Sequence, residues 1–579
     1  MGALEAGMTA LRVLIIDGYT DEPAGLGVPP FLDVYPRYIA GAVWKRAPSA
    51  EVIYITIDEA RQDQARVERA SSSSDLSVLI AGATVPGKYL CGSPATHNDA
   101  ASLAGLLKSR HTAICGPAAR FGFARGGGSR ASGRMRLEDL YEFVITGDPE
   151  VVVDSLLADG LSPRTEMDAV RKSENSLSAY AERGARIAPQ HPDFPGGLIC
   201  EIETYRGCPR SLCGGCSFCT EPLHGAPDFR SVKSIEREMA ALHSAGVLNF
   251  RLGRQPDLLI YGTADREIAL PRPNPSALRR LLSAVRRAAP RLRVLHIDNV
   301  NPATISTYPD EAEAALKEIA ALDTPGDVAA MGVESVDESV VMKNNLKVDY
   351  EGAMKAVEII NRVGRERGEN GMPRLLPGIN FVYGLPGETK ATFEINLEFM
   401  KDVLSRGLLV RRINLRQVMV MPSTRMESSG DYLVRKHKGL FARHKARMRE
   451  EVDLPMIKRV VPTWTVLRET RAELVEGNMT WCRQVGSYPI LVGVPRPLER
   501  GSFYDLVVVS HGPRSVGAIP VPIMINRLGM RELKAMPGLG SRRAAAIIRG
   551  RPFKSSEELK AAIDDPSIIA PALPFTSFG

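Results

Sequence analysis

The sequence predicts an α/β chain: an open, mainly parallel sheet, then a partial or full βα barrel, then a small β barrel and a short helical tail. Three observations carry this. Short apolar runs alternate with helix-like stretches from residue 11 to about 160, and the alternation resumes from about 196 to 430. Residues from about 475 to 525 switch to short β-like runs separated by turns. A length of 579 residues corresponds to about four domains at ~150 residues each. Hydrophobic residues at 44% and charged residues at 24% permit globular cores and exclude a largely disordered protein. No stretch approaches the ~18 consecutive apolar residues of a membrane span. Met1–Ala10 lacks the basic flank and apolar core of a secretory signal, so a cytoplasmic protein is expected.

The first unit, 1–160, reads as a Rossmann-like parallel sheet. Its strands are Leu11–Asp17, Val52–Ile57, Ser77–Ala81, Thr112–Cys115 and Glu142–Thr146, with helices at Tyr35–Arg46, Asn98–Ser109 and Glu150–Ala158. Five arginines and no acid fall between Arg120 and Arg136 in a Gly/Ser-rich insertion, read as a solvated loop or, more sharply, an anion-binding one. The polar, proline-bearing segment 161–195 reads as a linker.

The second unit, 196–430, offers six strands: Leu198–Glu203, Asn249–Leu252, Arg293–Ile297, Val328–Gly332, Gly378–Gly384 and Arg412–Met421. Strands alternating with helices fit a βα barrel, whose site lies at the strand C-terminal ends. Residues 431–474 read as a basic helical segment, with nine Lys/Arg against three acids between Leu433 and Arg459. Residues 475–526 form the small β domain and 527–579 the helical tail.

The chain has 8 cysteines, too few for a disulfide scaffold of this length, yet Cys208, Cys213, Cys216 and Cys219 fall within one dozen residues. Thiolates packed so closely in a loop after a strand point to an iron–sulfur cluster. Zinc fits less well because no second cysteine pair follows at finger spacing. Buried, unrelated thiols fit least, since the surrounding Gly, Ser and Pro supply no apolar core.

Arg206-Gly207-Cys208 … Gly214-Gly215-Cys216-Ser217-Phe218-Cys219 resembles the cluster loop of the radical S-adenosylmethionine superfamily. Asn249–Leu259, Gly332-Val333-Glu334-Ser335 and Gly384-Leu385-Pro386-Gly387-Glu388-Thr389 follow in the order of that family's motifs. The resemblance implies a [4Fe–4S] cluster on three cysteines, S-adenosylmethionine on the open iron, and a 5′-deoxyadenosyl radical that abstracts hydrogen from substrate. No catalytic residue beyond the cluster ligands is implied. It also implies a reductant protein supplying one electron. The family's usual Cys-x3-Cys-x2-Cys is not met, because Leu212 stands where the first cysteine would fall. Either Cys208 ligates across a longer loop, or Cys213 does so in a Cys-x2-Cys-x2-Cys arrangement; the Arg-Gly-Cys context favours Cys208. Phe218, Arg254, Glu334, Gly384 and Gly387 are the candidate cofactor-binding residues.

The first unit resembles the cobalamin-binding-type domain that precedes the radical domain in one branch of the superfamily, with Gly147-Asp148-Pro149-Glu150 as that branch's turn. This implies cobalamin as a further cofactor, although the Asp-x-His-x-x-Gly motif for cobalt is absent. Cys91 and Cys115 are too few for a second cluster there. Leu533–Ala544, with Gly538, Gly540, Arg542 and Arg543, resembles a helix–hairpin–helix motif that binds nucleic-acid phosphates. The net charge of +7 is modest, but eight Lys/Arg against one acid fall between Arg527 and Lys554. Arg483–Ser510 weakly resembles the TRAM barrel of some tRNA-modifying radical enzymes. The expected function is therefore methylation or other C–H functionalisation of a nucleic acid such as tRNA. The alternatives are the same chemistry on a small molecule or protein, and a non-catalytic nucleic-acid-binding iron–sulfur protein.

Overall fold

In the computed structural model, residues 10–20, 31–83, 90, 92–124, 128–131 and 137–579 are described. Cys91, most of the Met1–Ala10 stretch, and Arg125, Arg134 and Arg136 of the arginine-rich insertion lie outside them. The N-terminal strands are β1 (Arg12–Asp17), β2 (Phe31–Leu32), β3 (Glu51–Thr56), β4 (Leu76–Ile80), β5 (His111–Cys115) and β6 (Phe143–Val144). All but β2 form one parallel sheet in the order β3-β1-β4-β5-β6, a doubly wound arrangement whose ligand crevice lies beyond the strand C-termini.

Alternation along β1 explains why the sheet is covered on both faces. Val13 and Ile15 pack with the helix Val34–Arg46, whereas Leu14 and Ile16 pack with the opposite face, where the helix His97–Leu106 lies. Asp33 accepts the amide of Val34 at the first helix, and Thr96 and Asp99 form a capping box on the second.

Segment 161–195 differs from the linker expected. Its helix Ser178–Gly184 packs tightly on Val34–Arg46, because Gly41 and Gly184 let the two backbones touch. A Cβ at Gly41 would collide with the Tyr180 carbonyl, and one at Gly184 with the Arg37 carbonyl. The polar, proline-bearing composition concealed the buried Leu177, Tyr180, Ala181 and Ile187.

The second unit comprises β7 (Ile199–Glu203), the short antiparallel pair β8 (Tyr205–Arg206) and β9 (Asp228–Phe229), then β10 (Asn249–Gly253), β11 (Val294–Ile297), β12 (Asn299–Val300), β13 (Asp327–Glu334), β14 (Leu375–Tyr383) and β15 (Ile413–Gln417). Their sheets run β11-β10-β7-β2 and β12-β13-β14-β15 with parallel pairing throughout. Because β12 continues β11 across Asp298, this is a partial barrel, open between β2 and β15. The N-terminal unit thus contributes β2 as an edge strand beside β7.

A closed barrel follows, β16 (Val466–Glu476), β17 (Met479–Gln484), β18 (Leu491–Val494), β19 (Phe503–His511) and β20 (Ser515–Pro520), in the order β16-β17-β18-β20-β19. Its first strand begins at Val466, inside the segment expected to be helical to 474; helices occupy only its earlier part, ending at Val460. Two short helices, Met530–Ala535 and Ser541–Gly550, make the terminal hairpin.

Candidate functional site

The cysteine loop leaves β8 at the C-terminal mouth of the partial barrel and returns through β9. Gly207 has φ +87°, and a Cβ there would meet the Ala226 carbonyl at 2.5 Å, so only glycine makes the entry bend. Asn344 and Arg425 hold the loop from outside. The Ser217 hydroxyl donates to the Asn344 carboxamide oxygen at 2.7 Å, and Arg425 donates to the Gly215 carbonyl at 2.8 Å.

Cys208 and Cys216 are buried, Cys219 is half-buried and Cys213 is exposed. The thiols of Cys208, Cys216 and Cys219 lie within electrostatic range of one another and of the half-buried Lys347. Burial pushes the Cys208 thiol up to about 12 and raises Cys216 and Cys219 as well. Such thiols stay protonated until a metal displaces the proton. Cys213 instead donates its thiol to the Arg210 carbonyl at 3.4 Å on the outer side of the turn. Among the described residues, no three His, Cys, Asp or Glu converge closely enough for a single metal ion. Three thiols spread around a glycine-rich loop fit a larger group, and as an all-sulfur donor set they fit iron–sulfur.

Glu334 ends β13 with φ +66°, after a register shift between Gly332 and Glu334 that turns its side chain into the mouth. Burial pushes its carboxyl up to about 7, partly offset by Lys347 and Arg416. A Cβ at Gly332 would collide with both the Glu334 carboxylate and the Lys347 ammonium, so the two charges share the space that this glycine leaves. Lys347 was missed in the sequence: a single lysine in a loop carries no pattern.

The other sequence candidates fall elsewhere. Phe218 packs in the apolar cluster of Cys216, Val340, Leu385 and Val418 behind the loop. Gly384 takes φ +90°, and its amide donates to the Glu388 carboxylate at 2.6 Å, which in turn holds His437 at 2.7 Å. Gly387 lies against the Ser339 carbonyl. Arg254 points to the N-terminal unit, stacking over Tyr35 and pairing with Asp33 at 3.4 Å.

Between the two units lies a crevice that opens to solvent. Its walls include Gly116 and Gly147 from the C-terminal ends of the first sheet, and Glu203, Glu221 and Arg254 from the barrel side. Arg171, from the supposed linker, ties it together, pairing with Glu203 at 2.6 Å, Glu150 and Glu174 each at 3.2 Å, and Asp148 at 3.5 Å. Arg206, two residues before Cys208, pairs with Asp148 at 2.6 Å. The Gly147–Glu150 turn is therefore bolted to the cysteine loop through charge pairs.

Residues 202–400 match the family model of the radical SAM superfamily. The chain belongs to this superfamily. Radical SAM enzymes use a [4Fe–4S] cluster and S-adenosylmethionine and need an electron donor. An uncharacterized protein of Archaeoglobus fulgidus is 42% identical, covering 95% of this chain and 97% of that protein. An uncharacterized protein of Methanocaldococcus jannaschii is 44% identical over 87% and 92%. Among solved structures, the radical S-adenosylmethionine methyltransferase TsrM from Kitasatospora setae, with tryptophan bound, aligns with a TM-score of 0.46. It shares 15% identity over 72% of this chain and 75% of that one. The cobalamin-dependent radical enzyme OxsB aligns with a TM-score of 0.46 at 12% identity over 77% and 62%. Among the described residues, no helix is long and apolar enough to cross a membrane.

In the terminal hairpin, Gly538 turns with φ +75° against Ile568, and Gly540 caps the second helix with no atom within 4 Å of its Cβ position. Arg542 is exposed at that helix start, whereas Arg543 is taken up by Asp564 and the Gly538 carbonyl.

Proposed function

We propose that this radical SAM enzyme holds its cluster on Cys208, Cys216 and Cys219 and functionalises a C–H bond in a nucleic acid, a structured RNA such as tRNA. The cluster assignment rests on these three thiols lying within electrostatic range of one another and of Lys347, with Glu334 beside it at the barrel mouth. When bound, the cluster and S-adenosylmethionine supply a 5′-deoxyadenosyl radical that takes hydrogen from the substrate. Glu334 would accept from the amine of bound S-adenosylmethionine, and Lys347 would donate to its carboxylate. The surrounding barrel orients the reactants and excludes water.

The RNA reading is supported by the hairpin: a glycine turn, a helix start with no side-chain cap and the exposed Arg542 suit a phosphate. The decisive experiment supplies anaerobically reconstituted enzyme with dithionite, S-adenosylmethionine and total tRNA. Expected are 5′-deoxyadenosine formation that tRNA accelerates, none from Cys216→Ala, and tRNA affinity that falls steeply with salt. Arg542→Glu should weaken tRNA binding and reduce the salt slope by about 1. If tRNA neither binds nor changes the rate, the RNA reading is wrong.

A second reading concerns cobalamin, and one observation favours it: the crevice opens at the C-terminal ends of a doubly wound sheet, floored by Gly116 and Gly147. A Cβ at Gly116 would collide with the Ala81 carbonyl and one at Gly147 with the Ala169 carbonyl, so both turns require glycine for close backbone packing. Hydroxocobalamin retained through desalting, seen by its corrin absorbance, is the expected outcome; a colourless protein would contradict it.

A further inference from the structure

Strand alternation divides the partial barrel into an outer face and a lumen. Ile379, Phe381 and Tyr383 on β14 and Ile413 and Leu415 on β15 pack outward into the helical shell. Asn380 on β14 and Asn414 and Arg416 on β15 therefore face the lumen. Asn380 pairs in register with Asn414, and Val382 with Arg416, so the three polar side chains sit side by side.

The lumen's other charged groups are already engaged. On its floor, Arg251 bonds Glu201 at 2.8 Å and pairs with Asp298, which accepts the Tyr488 hydroxyl at 3.1 Å. Ser487 donates its amide to His296 at 3.0 Å, and Arg412 stacks on the Tyr488 ring at 4.2 Å. Glu203 is held by Arg171. By contrast, among the described residues no hydrogen bond or ion pair engages the side chains of Asn380, Asn414 or Arg416, and all three are only half-buried. Three polar side chains adjacent on one wall of the lumen, with no protein partner among the described residues, offer a ligand a ready set of donors and acceptors.

We propose that Asn380, Asn414 and Arg416 form the substrate subsite and take one nucleotide unit. The two carboxamides, each offering donors and an acceptor, read a base edge, and the guanidinium takes the phosphate. Arg416 lies within electrostatic range of Glu334, so this subsite adjoins the mouth where S-adenosylmethionine is proposed to bind. This rests on the nucleic-acid reading above and deepens it: a nucleotide enters the lumen out of its stack, as enzymes that act on a base require. The same chemistry would also admit a free nucleotide.

The test is calorimetric titration of the reconstituted, S-adenosylmethionine-loaded full chain with the four nucleoside 5′-monophosphates, the matching nucleosides and inorganic phosphate. At least one monophosphate binds, and Arg416→Gln weakens it at least tenfold while leaving the nucleoside unchanged. Asn414→Ala weakens monophosphate and nucleoside alike. Melting curves check folding, and Arg416→Lys partly restores the monophosphate. Wild-type protein that binds no monophosphate, or Arg416→Gln that binds as wild type, overturns the subsite. Loss of S-adenosylmethionine affinity in Arg416→Gln also overturns it, assigning Arg416 to the cofactor. The RNA reading fails separately: monophosphate binding that depends on Arg416 without any tRNA binding leaves the subsite standing for a free nucleotide.

Discussion

Tyr488, on a turn of the small C-terminal barrel, donates its hydroxyl to Asp298 in the lumen of the radical barrel at 3.1 Å. Its backbone carbonyl accepts from Arg411 at 2.6 Å, and a Cβ at the nearby Gly486 would crowd the His296 ring at 2.8 Å. The appended barrel therefore closes the floor of the chamber in which the chemistry is proposed to take place. Its turn is packed as tightly as a core.

Removing only the hydroxyl, as Tyr488→Phe, leaves Asp298 and Arg251 short of a partner. We expect a loss of about 1–3 kcal/mol in chemical denaturation. Tyr488→Ala also opens a cavity and costs more, about 3–5 kcal/mol. An unchanged midpoint in both variants would show that the turn merely rests against the barrel.

Arg171 stands among Asp148, Glu150, Glu174 and Glu203. Replacing it with methionine removes the cation shared by four carboxylates and leaves Arg206 paired with Asp148 and Glu174 alone. Destabilisation of about 3–5 kcal/mol is expected, and proteolysis should then cut within 161–195 first. Wild-type stability in Arg171→Met would mean the web is dispensable.

Lys347→Met should retain cluster iron yet bind S-adenosylmethionine about 10–100-fold more weakly by anaerobic equilibrium dialysis, the effect of one charged hydrogen bond. Unchanged affinity would remove Lys347 from the cofactor site.

Asp99 caps the helix His97–Leu106. Burial pushes its carboxyl up, but Arg61 and Thr96 outweigh that and hold it at about 2 rather than 3.8. Because the folded value is depressed, the contribution is present above about pH 4 and is lost as pH falls toward 2. Asp99→Asn should cost ~1 kcal/mol at pH 7, with the penalty shrinking below pH 4. A penalty independent of pH would assign the effect to packing.

The strands were legible because apolar runs such as Val13–Ile16 and Leu76–Ile80 are buried on both faces and leave a continuous signature. The cysteine loop was legible from spacing, and the partners of its thiols were not. Lys347 and Arg416 act through tertiary placement, as does Tyr488, which arrives from more than 180 residues beyond Asp298. Segment 161–195 misled because its burial rests on a few residues, Leu177, Tyr180 and Ile187, set among polar ones, and on two glycines whose role is to be small. The onset of the small barrel was read late because Val466–Glu476 mixes charge with β-branched residues, as an exposed barrel strand does.

The account depends most on which thiols hold the cluster, and iron and sulfide analysis of four anaerobically reconstituted variants tests this directly. Cys208→Ala, Cys216→Ala and Cys219→Ala should each lose the cluster and its absorbance, while Cys213→Ala keeps the iron content and 5′-deoxyadenosine production of the wild type. A Cys213→Ala protein without iron, beside a Cys208→Ala protein that retains it, would contradict the account.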